Sequence, residues 1–182
     1  FGHTGPDRAL PGYDFAIQAR GGLMSVTGDC DGGPTKVGVA IVDLVTAIFA
    51  SNAVLAALFA RERSGQGQHL DIALLDSQIA LLANVGCNYL SSGDIPQRWG
   101  NAHSSIVPYQ VFQAGDGSVV LTIGNDGQWK RFCGAAGVSA WAEDERFSTN
   151  SQRVANRAAL VPMLEDCFRQ KSVMDWLEIC KD

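Results

Sequence analysis

Charged residues and cysteines are scarce in this 182-residue sequence. Charged residues make up 18% beside 46% hydrophobic ones, a balance that excludes an intrinsically disordered chain. The net charge is −5 and no basic run is present, so we expect no nucleic-acid binding. The five cysteines lie far apart without a CxxC pair, which argues against a disulfide framework or a structural zinc site. Reduced thiols are typical of cytoplasmic proteins, and we expect that location.

The short signatures of several enzyme classes are also missing. There is no GxSxG, no P-loop and no GxGxxG in a suitable context, so serine-hydrolase and phosphate-loop chemistry have no local support. His3, His69 and His103 are not spaced as metal ligands, and we expect no metal site. No signal peptide is visible, and without an initiator methionine we expect a partial chain.

One long apolar run is present at residues 39–60, with Asp43 as its single charge and Asn52 in its middle. Its length suits a membrane span, which needs about 20 apolar residues. An acid inside a bilayer costs about 2.5–3.5 kcal/mol, however. We therefore predict a helix over residues 37–63 that is buried on all sides within a soluble protein, and no membrane span.

Periodicity and turn residues predict the other elements. The first half should hold a helix over 13–20, a strand over 68–74 and a helix from Asp76 to about Tyr89. The second half should hold a β-hairpin and helices, namely strands over 109–113 and 119–123 and helices over 128–136, 150–170 and 172–179.

Three single residues and one loop refine this prediction. Pro162 should kink or divide the helix over 150–170, and Ser172 with Asp175 should cap the helix that follows. The polar loop over 94–105 separates the two halves. We predict two domains, at residues 1–93 and 94–182.

Asp43 is the most informative single residue because it lies in the first or second turn of the most apolar helix. One interpretation is an ordinary acid at a helix N-terminus, where the helix dipole favours negative charge. The other is a positioned nucleophile or base in a low-dielectric site. Tyr13 and Asp14 stand at another probable helix start, where Asp14 could equally be a simple first-turn acid.

The small polar residues from Gly100 to Ser105 form a loop that suits either a lid or an ordinary connector. Binding of an anionic ligand would need local positive groups, because the chain is acidic as a whole. Arg20, Lys36 and Arg98 are candidates for that role, and each could equally be an ordinary surface charge.

Several ordered motifs resemble the class III CoA-transferases, and the similarity extends over essentially the whole chain. The segment RWGNAH followed by IVPYQVF is most similar to the dicarboxylate, succinyl-CoA-using branch. The motifs are FGHTGP (1–6), PGYDF (11–15), GGLMSVTG (21–28), VGVAIVD (37–43), RERSGQGQ (61–68), RWGNAH (98–103) and IVPYQVF (106–112).

The resemblance implies that Asp43 is the catalytic nucleophile. In that family the aspartate attacks an acyl-CoA thioester and then carries coenzyme A as an aspartyl thioester. No permanently bound cofactor is implied, because the coenzyme A thioester is a substrate, and a carboxylic acid accepts it. The substrate- and CoA-binding residues implied are Tyr13, Gly100, Asn101, Ala102 and His103. Where formyl-CoA transferases have consecutive glycines this chain reads His103-Ser104-Ser105-Ile106, which argues against formyl or oxalate specificity.

A sister branch, the α-methylacyl-CoA racemases, has a histidine where this chain has Tyr13. Loss of one of two proton-transferring bases argues against racemisation. A third hypothesis is a folded fragment or association module without independent activity.

The implied fold is α/β with α+β. Residues 1–93 would be the central segment of a Rossmann-like large domain, mainly long buried helices, which carries the catalytic aspartate. Residues 94–182 would be a small α+β domain truncated at its C-terminus. The family forms homodimers, and we expect association through the long apolar helix.

Overall fold

The computed structural model describes residues 1–181 and divides the chain into two compact units, Phe1–Gly100 and a second unit from Asn101 onward. The second unit is mixed, as the sequence predicts, whereas the first unit is helical and lacks the strand predicted over 68–74. The assignment of these units to a large and a small domain stays a prediction. Asp182, the last residue of the predicted second domain, lies outside the described residues.

The first unit is built from α-helices joined by extended and turn segments. In chain order the helices are α1 (Asp14–Arg20), α2 (Leu23–Val26), α3 (Ile41–Ser64), α4 (Leu74–Leu81) and α5 (Ala83–Ser92). Helix α3 begins four residues later than the predicted 37–63 and ends one residue beyond it, at Ser64. Gly65 follows with a φ of 71°, the left-handed conformation that glycine adopts without strain.

The prediction that α3 is buried on all sides is wrong, because Val42 is its one buried residue. The helices that pack against it are α1 and α4, of 7 and 8 residues. At 1.5 Å per residue each covers about 12 Å of a helix about 36 Å long. Its large apolar side chains are therefore exposed, including Leu44, Ile48, Phe49, Val54, Leu55, Leu58 and Phe59.

By length and composition, α3 is also the one helix among residues 1–181 that could cross a membrane. Core helices of soluble proteins pass the same test, so this property alone does not distinguish the two environments.

The segment between α3 and α4 corrects a second prediction. Residues 66–73 form neither helix nor strand, so the strand predicted over 68–74 is wrong. The reason is that β-structure needs a partner, and the sheet formed by residues 1–181 pairs two strands of the second unit only. The helix predicted from Asp76 is also divided, at Leu82, where the next residue Ala83 takes a φ of 42°.

The second unit opens with the predicted hairpin. Strand β1 (Tyr109–Gln113) pairs antiparallel with β2 (Ser118–Thr122), with Val111 opposite Val120. The alternation is visible in β2, where Val119 and Leu121 are buried and the residues between them are exposed. This prediction is confirmed to within one residue.

Helices follow the hairpin: α6 (Asp126–Ala135), α7 (Ala140–Glu143), α8 (Asn150–Ala155), α9 (Arg157–Arg169) and α10 (Val173–Ile179). The predicted division at Pro162 is wrong, because Pro162 lies inside α9 and the break falls at Asn156. The alternative, a kink at Pro162, stays a prediction. The Asn156 side chain donates to the carbonyls of Arg146 and Gln152, which holds the backbone in a non-helical conformation there. The Ser172 cap is confirmed as a complete capping box with Asp175.

The core of the second unit is aromatic. Phe168 stacks between Phe112, at 4.8 Å between ring centroids, and Trp176, at 4.3 Å. The indole N–H of Trp176 donates to the Phe168 carbonyl at 2.9 Å, so its one polar atom is satisfied inside the core.

Candidate functional site

Asp43 is the third residue of α3 and lies at the positive end of the helix dipole. Its side chain is exposed, and within residues 1–181 no donor is bonded to its carboxylate. Both oxygens are therefore free to meet a substrate. The helix cannot cap itself here, since the residue before it, Ala40, has no hydrogen-bonding side chain.

The cap comes from Asp14 in the first turn of α1. Its Oδ1 accepts the backbone N–H of Val42 at 2.8 Å and, at the longer distance of 3.4 Å, the N–H of Asp43. Sequence analysis left open whether Asp14 is a simple first-turn acid of α1 or a functional residue. In the structure its carboxylate is the N-terminal cap of a different helix, α3.

Gln18 holds Asp14 in place. Its Nε2 donates to Asp14 Oδ2 at 2.7 Å, while its Oε1 accepts the N–H of Val37 at 2.9 Å. Gln18, Ile17 and Val42 are all fully buried. The backbone around Asp43 is thus fixed by buried hydrogen bonds, whereas its carboxylate remains exposed.

Tyr13 belongs to the same corner of the first unit, because it directly precedes Asp14 as the N-cap residue of α1. Its side chain is 75% exposed, which leaves the phenol available to a ligand. The racemase comparison expects a histidine at this position, and no histidine takes part in the Asp14 hydrogen bonds.

Gly100 is the last residue of the first unit. Its N–H donates to the Gly28 carbonyl at 3.0 Å, and its φ of 56° lies in the left-handed region. Arg98 bonds the same turn, with its guanidinium donating to the carbonyls of Asp29 at 3.2 Å and Gly32 at 2.6 Å.

The three basic residues considered for anion binding therefore all have partners within the protein. Arg98 bonds backbone carbonyls, Arg20 pairs with Asp7 at 2.7 Å, and the Lys36 ammonium donates to the Val37 carbonyl at 3.2 Å. Their role as ordinary structural charges is the better supported interpretation.

The rest of the predicted loop belongs to the second unit, with Asn101 exposed and Ala102 and His103 half-buried. His103 donates its backbone N–H to the Tyr109 carbonyl at 2.9 Å, and its Nδ1 accepts the N–H of Ser105 at 3.0 Å. Its ring meets the Tyr109 ring edge-on, at 5.4 Å between centroids.

Two side chains of the helices beyond the hairpin hold this loop by its backbone. Arg157 donates to the carbonyls of His103 at 2.7 Å and Ser104 at 2.9 Å. Asn150 donates to the Ser105 carbonyl at 2.9 Å and accepts the Val107 N–H at 3.1 Å. Sequence analysis missed both residues, since 43 to 54 positions separate the partners and no local pattern marks them.

The other groups among residues 1–181 that could carry chemistry are those outside the segments that hold Asp43 and His103. Burial raises the pKa of the Cys133 thiol to about 12, so this core cysteine is no nucleophile at neutral pH. A groove of about 570 Å³ between β2, α6 and α10 contains none of the candidate residues. Among residues 1–181 no group of three or more His, Cys, Asp or Glu could hold a metal ion.

The fold of this helix-rich chain is similar to that of several solved structures. A CAIB/BAIF family protein from Brucella suis has a TM-score of 0.76 and 48% identity, covering 100% of this chain and 48% of that one. Rv3272 from Mycobacterium tuberculosis has a TM-score of 0.83 and 26% identity, covering 100% and 47%.

Sequence comparison identifies the family. Residues 1–182 match the profile of CoA-transferase family III, and the chain belongs to that family. The chain is 46% identical over 181 residues to the succinate–glutarate CoA-transferase of Agrobacterium fabrum, covering 100% of this chain and 45% of that protein. It is 42% identical over 177 residues to the succinyl-CoA:glutarate CoA-transferase of mouse, covering 97% and 41%. The chain thus spans a little under half the length of these relatives.

Proposed function

We propose that this chain carries the nucleophile of a coenzyme A transferase, and that the nucleophile is Asp43. The observation that carries the proposal is its unbonded carboxylate on a helix start fixed by Asp14. A carboxylate is a weak nucleophile, and holding one in place against its target can supply about 7–11 kcal/mol of the barrier.

The proposed reaction needs no redox step and no net proton transfer. The Asp43 carboxylate attacks the thioester carbon of an acyl-CoA, the C–S bond breaks, and coenzyme A leaves as a thiolate. The thiolate attacks the aspartyl carbon of the resulting anhydride, and the donor acid leaves as a carboxylate. The acceptor carboxylate then attacks the aspartyl-CoA thioester, and the thiolate returns to the acceptor acyl carbon, which regenerates Asp43.

We propose small dicarboxylic acids as the donor and acceptor. The names of the relatives support this, since those from Agrobacterium fabrum and mouse are named for succinate or succinyl-CoA and glutarate. The residues proposed to contact the acyl-CoA are Tyr13, Gly100, Asn101, Ala102 and His103. A racemase is less well supported, because Tyr13 replaces the histidine base.

Beyond the substrates, the proposed partner is a second copy of the chain. We expect no binding to nucleic acid, to a membrane or to a metal ion. The exposed apolar side of α3 supports association. The five free cysteines support a reducing location such as the cytoplasm.

A second candidate is a folded module without independent activity. The observation in its favour is that α3 has one buried residue, Val42, and leaves its large apolar side chains exposed. Both candidates predict a folded chain, and they differ in whether Asp43 reacts.

Intact-protein mass after incubation with succinyl-CoA tests the difference. We expect a coenzyme A adduct on the parent chain and none on Asp43→Ala. Hydroxylamine should then convert the adduct to a hydroxamate at Asp43, because it cleaves thioesters.

Asp76→Asn is the matched control. Asp76 is the third residue of α4 and is exposed, as Asp43 is in α3, but its helix is not capped by Asp14. The control should label as the parent does. A folded parent chain with no adduct, or equal labelling of Asp43→Ala, would reject the transferase proposal for this chain in favour of the inactive module.

A further inference from the structure

The two-stranded sheet of the second unit leaves one edge of β2 unpaired. The N–H of Ile123 donates to the Pro108 carbonyl at 3.0 Å. Because bonded and non-bonded pairs alternate along an antiparallel ladder, the odd-numbered residues of β2 bond β1 and the even-numbered ones face away from it. The backbone N–H and carbonyl groups of Val120 and Thr122 therefore lie on an open edge, and within residues 1–181 no other group is bonded to them.

The opposite edge of the sheet is partly covered. The Tyr109 carbonyl of β1 accepts the N–H of His103 at 2.9 Å, and just before β1 the Val107 carbonyl accepts Arg153 Nε at 2.7 Å. The β2 sequence SVVLT also has neither the proline nor the charged residue that often protects a strand edge from further pairing. The edge of β2 is thus available to a third strand.

The groove between β2, α6 and α10 borders this edge. Residues 119–123 all line it, and because successive side chains alternate between the faces of a strand, the groove follows the strand edge and not one face alone. Its volume of about 570 Å³ is typical of ligand-binding clefts. The two helices contribute mainly apolar walls, which include Phe132, Ala135, Leu177 and Ile179.

Arg131 is the one charged side chain among the residues 1–181 that line this groove. No carboxylate within the same residues forms an ion pair with its guanidinium. An apolar groove with a single unpaired positive charge is complementary to an apolar segment that carries one carboxylate.

We propose that the open edge of β2 binds an extended segment of a partner polypeptide as a third antiparallel strand. Residues directly opposite each other in an antiparallel pair point to the same face of the sheet. Partner residues bonded to Val120 and Thr122 would thus lie on the exposed face. The residues between them would share the buried face with Val119 and Leu121, so every second partner residue should be apolar, and an acidic residue on that face would meet Arg131.

Titration of the ¹⁵N-labelled full chain with the peptide acetyl-Thr-Val-Thr-Val-Thr-Glu-amide tests the proposal by NMR. We expect the amide signals of Val120 and Thr122 to shift, and their hydrogen exchange with solvent to slow by about tenfold. The amides of Val119 and Leu121, which already bond β1, should exchange slowly with and without the peptide. Absence of binding, or binding that leaves the Val120 and Thr122 amides unprotected, overturns the proposal. Protection that depends on protein concentration without the peptide would assign the edge to a second copy of the chain and would equally overturn it.

N-methylation of the peptide separates strand pairing from apolar contact. Methyl groups on the threonine nitrogens remove the donors that face β2 and should abolish binding. Methyl groups on the valine nitrogens point away from β2 and should leave the affinity nearly unchanged. Any other order of the two affinities contradicts pairing at this edge.

Arg131→Gln tests the acidic contact. We expect about threefold weaker binding of the peptide, because exposed ion pairs contribute little, and replacement of the peptide's glutamate by glutamine should have no further effect in this variant. Lys130→Gln is the matched control, since Lys130 is exposed on the same helix but does not line the groove. Equal weakening in the two variants overturns the contact with Arg131.

Discussion

At the scale of single residues, Asp43 and Asp76 are first-turn acids of two helices whose backbones are held differently. Each is the third residue of its helix and each is exposed. They differ in what holds the helix start, because of these two helices it is α3 whose N–H groups donate to the carboxylate of another helix, at Asp14. The apolar residues around Asp43 single it out in the sequence. The capping role of Asp14 could not be predicted, because its partner Val42 lies 28 positions away.

Removing the Asp14 cap should destabilise the first unit. In Asp14→Ala the N–H of Val42 and the amide of buried Gln18 both lose their acceptor, and we expect a loss of about 1–2 kcal/mol in the free energy of unfolding. Asp14→Asn should lose less, because an amide oxygen still accepts from Val42. Urea unfolding followed by circular dichroism measures both. Asp76→Ala is the control, and an Asp14→Ala chain no less stable than that control contradicts the capping role.

At the scale of elements, success in prediction depended on how local the determinants are. The hairpin and the capped α10 were predicted because their partners lie within a few residues of each other. The prediction of a strand over 68–74 was wrong because an alternating pattern is compatible with a strand but does not show whether a second strand is available to pair with it. The break expected at Pro162 falls at Asn156, whose bond to the Arg146 carbonyl spans ten positions and leaves no local signature.

The capping box of α10 gives a pH-dependent prediction. Hydrogen bonds from the Ser172 hydroxyl and backbone N–H hold the pKa of the Asp175 carboxyl below its ordinary value. A carboxyl with a lowered pKa stabilises the fold above its unfolded pKa, and this stabilisation disappears as pH falls through the folded pKa. Asp175→Asn should therefore lower Tm at pH 7, and the difference from the parent should vanish in strong acid.

Ser172→Ala separates the cap from the charge. It should cost about 1 kcal/mol and still lower Tm in acid, because the hydroxyl bond to the Asp175 N–H does not titrate. Thermal melts at both pH values give the comparison. A Tm difference for Asp175→Asn that grows in acid would show that the carboxyl destabilises the helix start.

At the scale of the whole molecule, the exposed stripe on α3 should drive association. Leu44, Ile48, Leu55 and Phe59 recur at helical spacing along one side of the helix, and each is more than half exposed. We expect a light-scattering mass of two chains or more for the parent, and a shift toward the monomer in the double variant Leu55→Lys, Phe59→Lys.

Leu90→Lys is the control for that experiment. Leu90 is more exposed than either residue of the double variant and lies on a different helix, α5. It should leave the mass of the parent unchanged. A parent chain that is a clean monomer rules out association through α3, and equal effects of the two variants would mean that added charge alone is responsible.

The way Arg98 holds the first unit has a consequence for how this sequence can vary over evolution. Its guanidinium contacts the carbonyl oxygens of Asp29 and Gly32, which every amino acid possesses, and none of their side chains. The identity of most residues in that turn can therefore drift without weakening the contact. Gly28 is different, since its φ of 114° is a conformation that other residues rarely adopt. Selection on this turn should thus act on Arg98 and Gly28, and leave the side chains from Asp29 to Gly32 nearly free to vary.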